Sequence, residues 1–96
     1  MITNALVSYV STRKTRNGIA WSAIVLCSEG RLKATCKGAG HQTTITGPAE
    51  AVARLNRECS SLLGESDGLA AALSAARSYE PLSASVDRYR SIVASL

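Results

Sequence analysis

The feature that most constrains this chain is a change of period at Gly47 and Pro48. Before that point apolar residues alternate with polar ones or form short continuous runs. After it they recur at intervals of three and four. A period of two belongs to strands and one of about 3.6 to helices. The chain therefore divides into a β-meander over residues 1–46 and a helical part over residues 47–96. Strands followed by helices in one domain of 96 residues predict an α+β fold, with the helices packed on one face of the sheet.

The strands follow from local patterns. "ALVSYVS" reads as strand one, with Val7 and Tyr9 on one face and Leu6 and Val10 on the other. "TRKTRNG" is a basic connection whose Asn17 and Gly18 signal a turn. "IAWSAIVLC" is apolar almost throughout, as expected of a central strand buried on both faces. "RLKATCKG" alternates, placing Arg31, Lys33, Thr35 and Lys37 on one face and Leu32, Ala34 and Cys36 on the other. The three strands form an antiparallel meander, and "TTIT" is the candidate for a fourth. With Glu29 and Gly30 as the turn, Cys27 would oppose Leu32 and Cys36 would lie near Ala23, so these thiols would not be cross-strand partners.

Pro48 suits the first position of a helix, where its missing N–H has no helical partner. Glu50 in the first turn favours the helix dipole. Val52, Leu55, Cys59 and Leu62 share one face, while Arg54 stands four residues from both Glu50 and Glu58. Gly64 is a stop signal. A second helix, capped by Ser66, would turn Leu69, Leu73, Ala76 and Tyr79 to the core until Pro81 breaks it. The last segment spaces Leu82, Val86, Tyr89, Val93 and Leu96 helically. It is a third helix, or the second one continued past a kink.

The core implied by this pattern is built of small units. The chain has no Phe, one Trp and three Tyr, so Ala, Val, Leu and Ile supply most of the buried area. Self-association through the alanine-rich C-terminal helices would offset a modest core, with Leu82, Val86, Tyr89 and Val93 facing a second subunit. No basic leader precedes an apolar run at the N-terminus and no stretch reaches a membrane span, which predicts a cytoplasmic protein with no membrane partner. Three cysteines without Cys-x-x-Cys spacing read as reduced thiols.

One family resemblance attaches to the junction. A meander containing Trp21, Ser22, Ala23 and Ile24, followed by Thr43, Thr44 and the helical Glu50, resembles the first half of type I ribonuclease H over about residues 7–63. Asp87 stands where that family's later Asp would be sought. The resemblance implies a ribonuclease-H-like fold and a two-metal nuclease built on several carboxylates. Strand one must supply the first of these, and no acidic residue precedes Glu29. The activity is therefore expected to be absent. The alternative is a reduced metal-dependent nuclease using Glu50 and Asp87.

Other chemistry finds little support. His41 with Cys27, Cys36 and Cys59 matches no zinc spacing, and Gly38, Gly40 and Gly47 lack the Lys-Ser/Thr tail of a phosphate loop. No cofactor, metal or catalytic residue is expected. The charge distribution says more. Residues 1–37 hold six cations (Arg13, Lys14, Arg16, Arg31, Lys33 and Lys37) against one acid, Glu29, whereas residues 38–96 hold five cations and six acids. If the first connection folds over the sheet, all six cations share a surface. That surface would bind an acidic protein or nucleoprotein complex, or nucleic acid directly with Tyr9 or Trp21 stacking on bases. The bland alternative is a solvated face that only keeps the protein soluble. The expected class is a small non-catalytic binding protein, such as a phage- or mobile-element-encoded inhibitor of host machinery.

Overall fold

The computed structural model describes residues 2–96. Eight elements follow one another: β1 (Ala5–Thr15), β2 (Gly18–Cys27), β3 (Gly30–Cys36), β4 (Thr44–Thr46), α1 (Ala49–Leu63), α2 (Gly68–Ser74), β5 (Glu80–Pro81) and α3 (Leu82–Ala94). The strands form one antiparallel sheet in the order β4-β3-β2-β1-β5. The α+β architecture and the change of period at residue 47 are as the sequence indicates. The two-residue β5, which returns from the helical part to pair with Leu6 and Val7, has no counterpart in the periodicity.

Only one face of the sheet is covered. Cross-strand rows on that face run Val7–Val25–Leu32 and Val10–Ala23–Ala34–Ile45. Against them pack Ala51, Leu55 and Cys59 of α1, Leu69, Ala72 and Leu73 of α2, and Leu82 and Val86 of α3. Each fully buried Leu or Val stabilises the fold by roughly 1.5–3 kcal/mol relative to exposure. Leu82 and Val86 are consumed by this core, so they do not face a second subunit. The exposed apolar residues at that end are Ile92, Val93 and Leu96.

Several local details differ from the periodic reading, each for a physical reason. A bulge at Ser8 shifts the β1 register, so Val7 faces the core and Tyr9 the opposite side. Leu6 and Val10 are parted in the same way, Leu6 to the open face and Val10 to the core. The "TRK" segment is strand, and the turn is Arg16 with Asn17, closed by Thr15 opposite Gly18 and by a 2.8 Å bond from Thr15 Oγ1 to the Gly18 carbonyl. The next turn is Ser28 with Glu29, so Cys27 opposes Gly30 and Cys36 opposes Trp21. All three cysteines are free.

Pro48 caps α1 from just outside it, and the Val52 amide donates to its carbonyl at 3.1 Å. Gly64 ends α1 in the left-handed conformation, φ 69°. α2 is shorter than its pattern implied because it stops at Ser74, and its entry is dictated by α1. The Gly68 amide donates to Ser60 Oγ at 3.0 Å and the Leu69 amide to Asn56 Oδ1 at 3.1 Å. These bonds satisfy two of the orphan donors at the start of α2, so Ser60 and Asn56 cap it in place of Ser66. α2 ends at Ser74, and Tyr79 lies outside it with φ 61° and 81% exposure rather than in the core. β5 separates α2 from α3, so the two are distinct helices. Among the described residues no helix is long and apolar enough to cross a membrane.

Candidate interaction surface

The second face of the sheet carries no helix. Its rows, read across the strands, are Leu6–Leu26–Arg31, Tyr9–Ile24–Lys33–Thr46, Ser11–Ser22–Thr35–Thr44, and Arg13–Ala20. Alternation dictates these rows once the core face is known, since residues paired across a ladder share a face. Lys37 follows β3 directly and joins Arg13, Ser11, Ser22 and Thr35 around an open hollow of about 340 Å³ at the hairpin end.

Four of the six cations singled out by charge, Arg13, Arg31, Lys33 and Lys37, therefore gather on one surface. Lys14 does not. It is opposite Ile19 on the other face of the β1–β2 hairpin, while Arg16 sits in the turn at its tip. All six are exposed. Among the described residues none of them makes an ion pair. The carboxylates that do pair are elsewhere. Glu29 and Glu58 hold Arg54, and Glu80 holds Arg88. The Arg54 guanidinium, with help from the Ser28 hydroxyl, pulls Glu29 down to a pKa of about 2. The N-terminal acid is thus spent on fastening α1 to the β2–β3 turn, which leaves the sheet cations unneutralised.

Beside Arg31 and Lys33, and separated from Arg13 and Lys37 by the Ser11–Ser22–Thr35 row, lies an apolar strip. Leu6 is 39%, Tyr9 50% and Leu26 44% exposed, with Ile24 half-buried among them. The continuous apolar run of β2 suggested burial on both faces, and the structure corrects this: Ala23 and Val25 are buried while Leu26 is open. The signal was present in the neighbouring strand. Arg31, Lys33 and Thr35 share a sheet face with Ile24 and Leu26, so a solvated face of β3 obliges the same face of β2 to be open as well.

The remaining candidates are dispersed. Trp21 is on the core side, half-buried, leaving Tyr9 as the exposed aromatic of the open face. His41 is exposed, its amide donating to the Gly38 carbonyl at 3.2 Å. It borders a second hollow with Asn56 and Asp67. Glu50 lies in the first turn of α1 and Asp87 in α3, both exposed. Among the described residues no three His, Cys, Asp or Glu side chains gather where they could hold a metal ion. Cys59 is buried, which raises its thiol to about 12 and keeps it protonated. No family model matches the chain, and no curated protein or solved structure is significantly similar to it.

Proposed function

We propose that this protein is a non-catalytic interaction module that binds an acidic protein surface through the open face of its sheet. The observation that carries this reading is the coincidence on that face of four unpaired cations with the strip Leu6, Tyr9, Ile24 and Leu26. An apolar patch bordered by charge is a common anatomy for a protein–protein contact, in which Tyr and Arg are enriched. The neighbouring cations would steer and orient a partner bearing Asp and Glu, and the strip would supply the desolvated contact.

Direct contact with nucleic acid is the second reading, favoured by Tyr9 standing in one row with Lys33. Single-strand binders combine cations with several aromatic platforms. Here three of the four side chains in the strip are aliphatic, which suits a protein better than stacked bases.

Titration of the purified protein with a random Glu/Leu copolymer, with poly-glutamate and with single- and double-stranded oligonucleotides across a salt series separates the readings. The acidic-partner reading expects the Glu/Leu copolymer to bind most tightly, and Arg31→Glu with Lys33→Glu to weaken it at least about tenfold. Oligonucleotides binding more tightly than either polypeptide, with a log–log dependence on salt, would transfer the face to nucleic acid.

A further inference from the structure

β1 is long, and most of its outer edge is bare. β5 pairs with it only at Leu6 and Val7, and the Tyr79 amide donates to the Val7 carbonyl where that pairing stops. Beyond the Ser8 bulge, residues 9–15 pair with β2 on one side and with no described strand on the other. In an antiparallel pair alternate residues direct N–H and C=O away from the partner, so this stretch presents unpaired backbone groups to solvent. Ser11, Thr12, Arg13 and Lys14 are all exposed, which means that the hairpin here stands clear of the helical layer on both faces.

The side chains along this edge change character in one direction. Tyr9 and Val10 lie at the bulge, Ser11 and Thr12 follow, and Arg13, Lys14 and Arg16 crowd the tip. Arg13 and Lys14 project to opposite faces of the hairpin. Such an edge repels a second copy of itself, because each copy would bring three cations and no acid to the new ladder. It is matched by an extended strand with acidic residues at one end, on both faces, and apolar residues at the other.

We infer that the free edge of β1, residues 9–15, accepts an extended acidic segment of a partner protein as an added strand. The inference rests on the acidic-partner reading and states where and how such a partner enters. Main-chain hydrogen bonds would supply affinity, and Arg13, Lys14 and Arg16 the choice of sequence and orientation. The same cations guard the edge against self-pairing while the site is empty.

The test uses the full chain and an acetylated, amidated peptide DEETVTV, together with its KKKTVTV counterpart and two isomers of the acidic peptide N-methylated on alternate residues. The expected result is that the acidic peptide binds, the basic one does not, and alternate amides within residues 9–15 gain protection from hydrogen exchange. One N-methyl isomer should lose affinity by at least about tenfold while the other keeps it, since only one set of peptide amides faces the edge. Equal binding of both isomers and the parent would overturn the edge and leave the open-face reading standing. No binding of the acidic peptide also overturns the edge, and if the Glu/Leu copolymer fails too, the open-face reading falls with it. Protection of the same amides in concentrated protein without peptide, together with a dimer in ultracentrifugation, would place a second copy there and overturn the inference.

Discussion

Arg88 grips Glu80 with two parallel hydrogen bonds, from Nη1 to Oε1 at 2.6 Å and from Nη2 to Oε2 at 2.8 Å. Glu80 also accepts from the buried Ser85 hydroxyl at 2.9 Å and from the Arg77 amide at 2.7 Å. This cluster joins α3 to β5, and β5 to Val7 of β1. It therefore sets where the covered edge of the sheet ends and the bare edge begins.

The cluster makes stability depend on pH in a definite direction. The Arg88 guanidinium is the main cause of a Glu80 pKa of about 2, below the ordinary 4.5, and Glu29 is lowered likewise by Arg54. A carboxylate with a depressed folded pKa stabilises the fold above its unfolded value, and that contribution is lost as pH falls through the folded one. Thermal melts should hold steady from neutral pH to about 4.5 and then fall progressively towards pH 2. Arg88→Met should lower stability at neutral pH by roughly 1–2 kcal/mol, since hydrogen bonds between charged groups are lost and solvent screens the remainder. Its acid limb should also be shallower than that of the wild type.

Gly68 marks the closest approach of α2 to α1. A Cβ there would lie 2.2 Å from the Ser60 amide nitrogen and 2.5 Å from the Cys59 carbonyl carbon. Both are backbone atoms of a helix and cannot yield singly. Gly68→Ala should cost about 3 kcal/mol or more, and Ser60→Ala about 1 kcal/mol through loss of a cap. Urea unfolding of the two variants checks the ranking.

Burial separates the thiols. Cys59 has no solvent exposure and its thiol is pushed up to about 12, whereas Cys27 and Cys36 are only partly covered. A thiol reagent at neutral pH should label Cys27 and Cys36 in the native protein and reach Cys59 only on unfolding. Mass spectrometry of the labelled sites with time is the measurement. Labelling of Cys59 at the rate of the others would show that α1 does not stay closed over the sheet.

The open face should be a surface that stability does not need. Arg31→Glu with Lys33→Glu touches no partner within the fold, so its melting free energy should stay within about 0.5 kcal/mol of wild type while binding is lost. A large loss of stability would mean that these cations serve the fold.

Much of this architecture was legible in the sequence because it rests on periodicity. The alternation of β3, the helical spacing of Leu55 and Cys59 and the Gly64 stop are local signals, and each found its place. What escaped is non-local. The Ser8 bulge moves Tyr9 and Val10 to the faces opposite those that alternation with Leu6 and Val7 predicts, without any marker residue, since a bulge is fixed by the partner strand. Tyr79 kept helical spacing, yet Glu80 binding to Arg88 draws that segment to the sheet instead. Arg54 had Glu50 and Glu58 at helical spacing; it takes Glu58 and the distant Glu29, which no local rule relates to it. For the surface, Arg31, Lys33 and Lys37 were legible together from one strand. Whether Arg13 joined them and Lys14 did not depended on a hairpin register that sequence left open.

Mapping of backbone amide shifts in the intact protein on addition of the Glu/Leu copolymer reads the binding face residue by residue. Perturbations should concentrate on the rows of Leu6, Tyr9, Ile24, Leu26, Arg31 and Lys33, and be lost together in the Arg31→Glu, Lys33→Glu variant. Perturbations centred on the exposed end of α3 around Ile92 and Leu96, or none at all, would contradict binding through the open face.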